Sequence, residues 1–215
     1  MTVSTGSTWM AAEIREQPAA LRRTLDALLP LEADVAALAA RTRQVLFIAR
    51  GSSDAAALYG RYLCEVGAGR LATPASPSVA TRYRRRLDLD GVLAVALSQS
   101  GRTEEIVETL AWAADCGAAT VAITNFSTSP IAEVADHLLC TSVRETSYRS
   151  GEMSARHSQF LVLDLLYLAV AQRTHERATD RFARTADAVA PHRTPYEPRG
   201  RAGASPRSAD PQRGA

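Results

Sequence analysis

The chain has 215 residues, 46% of them hydrophobic and 22% charged, a balance that suits one α/β domain with a sizeable buried core. No apolar run approaches the ~20 residues of a membrane helix, and the opening MTVSTGSTWMAAEIREQ lacks the basic and apolar regions of a secretory signal, so a cytoplasmic protein is expected. The net charge of +2 is concentrated in the arginines of residues 191–215. The remainder is close to neutral, which argues against a nucleic-acid footprint.

Two features of composition constrain chemistry. All 25 basic residues are arginine, so no lysine of this chain can form a Schiff base or serve as a base. Cys64, Cys116 and Cys140 are widely spaced in apolar or helical contexts, with no CxxC or Cys/His pair. They are expected to be buried free thiols; neither a disulfide framework nor a zinc site is indicated, and no metal or cofactor is expected.

In chain order, residues 1–44 form a helical segment. Ile14, Leu21, Leu25, Leu28 and Leu29 recur at helical spacing, and Pro18 is expected at or near a helix start, where its missing N–H costs nothing. Leu31 to Arg43 repeats the helical pattern. From residue 45 short apolar runs alternate with turns and helices. Strands are predicted at Val45–Ala49, Val92–Leu97, Thr120–Thr124 and His137–Thr141, with a weaker one near Ala72–Pro74. Helices are predicted over about Asp54–Val66, Thr103–Cys116, a short stretch near Pro130, and Ser154 to about Arg173. Continuous apolar strands alternating with helices signal a doubly wound parallel α/β sheet covered on both faces. The breadth of hydrophobicity in the last helix fits either an interface or a central position in the same domain. This domain is taken to span 45–190. Residues 191–215, with five prolines and no aliphatic run, are expected to be disordered.

In open parallel sheets, ligands bind at the carboxyl ends of the strands, where strand order reverses. Two loops there are conspicuous. Arg50-Gly51-Ser52-Ser53-Asp54 follows the first strand. Ser98-Gln99-Ser100-Gly101-Arg102-Thr103 follows the second and opens a helix, whose free N–H groups and dipole favour an anion. Serine and threonine are also ordinary helix caps and turn residues. Two such loops on successive strand ends tip the reading towards a phosphate or carboxylate site. Neither loop is a dinucleotide or Walker-type motif.

The SQSGRTEE loop, the RGSSDAAALYGRYL turn and helix before it, and the VAITNFSTSPIAEVADHLL stretch after it resemble the sugar isomerase (SIS) family over about residues 9–176. That resemblance implies a flavodoxin-like five-stranded sheet, dimerisation and a phosphosugar ligand. It implies further that Ser98, Ser100 and Thr103 hold the phosphate with Gln99 alongside, that Gly51, Ser52 and Ser53 contact sugar hydroxyls, and that Ser154 closes the site. The opening MAAEIREQPAALRRTL is similar to the isomerase half of glucosamine-6-phosphate synthase and related tandem-SIS deaminases. ETSYRSGEMSARHSQFLVLDLLYLA looks more like the SIS domain of RpiR-type regulators. Neither a second SIS pattern nor a helix-turn-helix pattern is readable in these residues, and Arg102 stands where many members carry an acid.

Aldose–ketose isomerisation needs a base to move a proton between adjacent carbons. Glu145 and Glu152, between the fourth predicted strand and the long helix, are the candidates, though each also fits a solvated loop charge or a capping partner. Glu104 suits the helix dipole and reads as structural. His157, one turn into the long helix, reads as a packed or exposed helix residue before a catalytic one. Three functions follow as alternatives: a sugar-phosphate isomerase, a non-catalytic phosphosugar-sensing module, or half of a tandem aminotransferase or deaminase.

Overall fold

The computed structural model describes residues 9–144, 152–172, 184, 187 and 190–192. The expected tail therefore lies almost wholly outside the described residues, as does Glu145. Five strands, β1 (Gln44–Ile48), β2 (Leu71–Pro74), β3 (Val92–Leu97), β4 (Ala119–Thr124) and β5 (His137–Cys140), form one sheet in the order β2-β1-β3-β4-β5. Every pairing is parallel, with Val45 opposite Leu93 and Val95 opposite Val121. This is the doubly wound α/β fold expected, and its order reverses between β1 and β3.

Side-chain size separates the two faces. Leu93, Val95 and Leu97 of β3 alternate with Ala94 and Ala96. The larger set packs with Phe47, Val121 and Ile123 beneath α3 (Ser52–Leu63) and α7 (Glu152–Gln172). The alanines meet Ile106, Leu110 and Ala113 of α5 (Glu104–Asp115) and Ile131 of α6 (Pro130–Glu133). Small residues on that face let α5 sit close to the sheet. A short helix, α4 (Pro77–Thr81), lies against α5 and has no counterpart in the sequence expectations.

The broad hydrophobicity of α7 reflects a central position: α1 (Trp9–Leu28), α2 (Glu32–Ala40) and α3 all pack on it. Leu28, Val35 and Ala36 join the same core as the sheet, so the amino-terminal helices are built onto the α/β layer. Glycines in α3 admit α7 closely. A Cβ on Gly60 would come within 2.9 Å of the Phe47 ring and 3.0 Å of Leu163, and one on Gly67 within 2.4 Å of the Tyr167 hydroxyl. α3 runs on through a π-helical turn at Cys64–Ala68 and ends at Gly69, whose left-handed φ of 61° lets its N–H close on the Cys64 carbonyl.

One expectation is corrected in α1. Pro18 lies inside α1, not at its start. It is exposed, on the same side as Ile14, so the Ile14 carbonyl that loses its amide partner can be hydrated. Of the apolar set, Ile14 is 47% and Leu29 48% exposed and Leu28 is buried, together with Glu13, Ala20 and Thr24. The buried Thr24 hydroxyl accepts the backbone N–H of Ser142, beyond β5, at 3.0 Å.

All three cysteines are free, Cys64 and Cys116 buried and Cys140 half-buried, as expected. Burial pushes the Cys64 thiol up to about 11 despite Arg70 nearby. The Arg70 guanidinium caps α2 by donating to the carbonyls of Ala39 (2.6 Å) and Thr42 (2.5 Å). Among the described residues no helix is long and apolar enough to cross a membrane, and no His/Cys/Asp/Glu group of metal-binding size is present.

Candidate functional site

Both conspicuous loops emerge at the carboxyl end of the sheet, on neighbouring strands. β1 leads through Arg50 and Gly51 into α3 on one face, and β3 leads through Ser98–Thr103 into α5 on the other. The chain therefore parts at the switch point and leaves a crevice there. It is a cavity of about 290 Å³, lined by Gly51, Ser52 and Ser53 from the first loop. Ser98, Gln99, Ser100 and Thr103 line it from the second.

Local chemistry explains the shape of the phosphate-type loop. The Gly101 amide donates to the Ser98 carbonyl and hydroxyl, both at 3.2 Å, and the Arg102 amide donates to the Ser100 hydroxyl at 3.2 Å. These are serine turns, so the ordinary structural role of the hydroxyls is partly realised. The hydroxyls accept in these bonds, however, and that of Ser100 keeps its own proton to donate. Ser98 Oγ lies 3.5 Å from Thr103 Oγ1, at the outer limit of a hydrogen bond. Thr103 occupies the N-cap position of α5 but its side chain makes no capping bond, and neither does Gly51 at the start of α3. The third amide of each helix turns back on the chain, Ile106 donating to the Thr103 carbonyl and Asp54 to the Gly51 carbonyl, which leaves the amides of Ser52, Ser53, Glu104 and Glu105 for water or a ligand.

The loop rests on the turn after β4. Thr124 Oγ1 (3.1 Å) and the Asn125 amide (3.0 Å) both donate to the Gln99 carbonyl, and the Ile131 amide donates to the Gly101 carbonyl at 3.1 Å. Gly101 is required twice over. Its φ is +64°, and a Cβ there would stand 2.4 Å from Ser129 Oγ. The third motif, VAITNFSTSPI, is therefore the support of the loop and does not line the crevice itself. The Gln99 carboxamide nitrogen is buried and has no hydrogen-bond partner among the described residues.

The remaining candidates fall differently. Glu152 and Ser154 lie in the first turn of α7, but their side chains are outside the described set, and Glu145 lies outside it altogether. His157 is exposed, and His137 opens β5 as expected. Glu104 and Glu105 occupy the first turn of α5.

Two residues at the site escaped the sequence reading. Gln159 of α7 is 1% exposed and donates its amide to Ser53 Oγ at 3.1 Å. Its signal was a lone amide in the apolar run FLVLDLLYLA that follows it. Arg50 lines the crevice and pairs with Glu105 at 2.8 Å.

A parallel 2-1-3-4-5 sheet with an uncapped, hydroxyl-rich loop at its switch point defines an α/β ligand-binding domain suited to an anion. The chain belongs to the SIS domain family, whose model matches residues 39–169, more than half of its length. It is 40% identical over 144 residues to the glutamine–fructose-6-phosphate aminotransferase (isomerizing) of Symbiobacterium thermophilum, covering 62% of this chain and 23% of that enzyme. It is 32% identical over 96 residues to the HTH-type transcriptional regulator RpiR of Escherichia coli K12, covering 45% of this chain and 32% of the regulator. A solved protein of Silicibacter pomeroyi, assigned as a phosphosugar isomerase, superposes with a TM-score of 0.70 at 34% identity, covering 85% of this chain and 54% of that one. The chain spans about half or less of the length of the curated relatives it matches.

Proposed function

We propose that this domain binds a sugar phosphate in the β1/β3 crevice. The phosphate rests on Ser98, Ser100, Thr103 and the first-turn amides of α5, with the Gln99 carboxamide donating beside it. Gly51, Ser52 and Ser53 meet the sugar hydroxyls, and Ser154 closes the site. The observation that carries this reading is the crevice itself: about 290 Å³ at the switch point, lined by hydroxyls and amides. Hydroxyl and amide donors bind an anion without adding charge, and two facing loops divide the phosphate from the polyol.

The chemistry we assign is aldose–ketose isomerisation with Glu152 or Glu145 as base. Neither a carboxylate nor a histidine is among the described lining residues, and both candidate bases belong to the stretch between β5 and the first turn of α7. The same observation favours a second reading, a phosphosugar-sensing module without turnover, in keeping with relatives that are transcriptional regulators. A third places the chain as half of a tandem aminotransferase or deaminase, in keeping with its likeness to the aminotransferase. A cytoplasmic homodimer completes the proposal; Leu58 and Tyr62, one turn apart on α3 and 58% and 61% exposed, suit burial against a second copy.

Incubation with hexose, hexosamine and pentose phosphates in D₂O tests it. Deuterium at C1 or C2 requires a base and supports isomerisation. Binding that raises the melting temperature without exchange leaves the sensing module. Absence of binding to every sugar phosphate removes the whole reading.

A further inference from the structure

Of the described residues that line the crevice, Arg50 alone carries a charge. It follows β1 directly, and its Nη1 donates to Glu105 Oε2 at 2.8 Å. Glu105 belongs to the first turn of α5, the helix whose uncapped amides open the phosphate-type loop. The ion pair therefore spans the mouth of the crevice, from the loop after β1 to the helix after β3.

This pair is poorly suited to hold the fold. Its side chains are 70% and 39% exposed, and exposed pairs contribute little to stability. Its position matters more than its strength. Glu105 places a carboxylate beside amides that attract an anion, where it repels an incoming phosphate. The same carboxylate occupies the guanidinium that would best receive that phosphate.

We infer that Arg50 is a phosphoryl-binding residue held in reserve by Glu105. A dianionic phosphoryl group entering the crevice takes the guanidinium from the carboxylate, and Glu105 recovers it when the ligand leaves. A phosphoryl group outcompetes Glu105 because it carries more charge and presents oxygens that a planar guanidinium can bind in pairs. Glu105 loses little on release, being exposed enough to be hydrated. The consequence is selectivity: a neutral sugar cannot displace Glu105, so it meets an occupied arginine and a carboxylate at the rim. This exchange rests on the phosphosugar reading above and adds to it the residue that distinguishes phosphorylated from neutral ligands.

The test is calorimetric titration of the full chain with inorganic phosphate and with fructose 6-phosphate, in the parent, Arg50→Gln, Glu105→Gln and the double variant. Arg50 is exposed and Glu105 half-exposed, and an ion pair so placed adds little to stability, so all four proteins are expected to melt alike. Arg50→Gln should weaken both ligands about tenfold, the size of one lost charge-assisted contact. Glu105→Gln should tighten both about threefold, and that gain should shrink when Arg50 is also replaced. If Arg50→Gln binds both ligands as the parent does, Arg50 takes no phosphoryl group and the inference falls while the phosphosugar reading stands. If Glu105→Gln weakens binding, Glu105 positions Arg50 instead of competing for it, and the exchange is overturned. If the parent binds neither ligand, no phosphoryl group reaches Arg50 and the exchange is overturned, while the phosphosugar reading is decided by the wider set of sugar phosphates.

Discussion

The side-chain amide of Gln159, buried in α7, donates to Ser53 Oγ at 3.1 Å and ties the long helix to the loop after β1. Ser53 lines the crevice, so Gln159 acts on the ligand only through it, as a positioning residue. Gln159→Leu keeps the volume but leaves the buried Ser53 hydroxyl without its donor, at a cost of about 1–3 kcal/mol. Urea unfolding should show that loss, and calorimetry should show weaker fructose 6-phosphate binding with inorganic phosphate little changed. Equal weakening of both ligands would contradict a role confined to the sugar side.

Gly101→Ala should be more damaging than a surface loop substitution suggests. The left-handed backbone there costs a non-glycine residue about 1–2 kcal/mol, and the new Cβ would meet Ser129 Oγ at 2.4 Å and Ser129 Cβ at 2.7 Å. Adding Ser129→Gly removes the worst of the second penalty, leaving Thr124 Oγ1 at 2.9 Å, and none of the first. The double variant should therefore recover part of the lost melting temperature, and full recovery would show that the backbone angle is not strained.

The strands were legible because each is a short, nearly continuous apolar run closed by a turn, and all five appear within a residue or two of expectation. Both loops were legible too, since Gly51 and Gly101 mark turns and their serines cluster. What escaped depended on partners distant in sequence. Ile14, Leu28 and Leu29 share one helical repeat, yet Ile14 and Leu29 are exposed and Leu28 is buried, a difference set by the distant elements on which α1 packs. Arg50 stood in the first loop without a role because its partner, Glu105, is 55 positions on. Gln159 is linked to Ser53 across 106 positions. Hydropathy carries the layer in which a residue sits, and the pairing of polar groups across layers is set only by the packing.

Stability should fall in mildly alkaline solution through Cys64. Burial raises its thiol from an ordinary 9.0 to about 11, with the Arg70 charge opposing and the Glu65 charge adding to the rise. The unfolded chain ionises first, so the stability held by the neutral thiol is intact below pH 9 and is lost as the pH climbs from about 9 to 11. A shift of that size corresponds to about 2–3 kcal/mol. Urea midpoints at pH 8 and pH 10.5 should separate in the parent and separate less in Cys64→Ala, whose baseline is lowered by the cavity it leaves and in which Cys140, Tyr59 and Tyr167, also raised, keep part of the dependence. An unchanged separation in the variant would assign the pH dependence to other groups.

Ser98 and Ser100 differ in what they hold, and their alanine variants should differ accordingly. Ser98 is buried, its hydroxyl receives the Gly101 amide, and its backbone N–H is bound to the Ile123 carbonyl. Ser98→Ala leaves the Gly101 amide with only the Ser98 carbonyl and loosens the turn that presents Thr103. It should lower both stability and phosphate affinity, stability by about 1 kcal/mol. Ser100 receives only the Arg102 amide, on an exposed edge where water can replace it. Ser100→Ala should therefore leave the melting temperature within about a degree of the parent while weakening inorganic phosphate severalfold. If Ser98→Ala melts lower but both variants bind phosphate normally, the hydroxyls serve the turn alone and the anion is held by the helix amides.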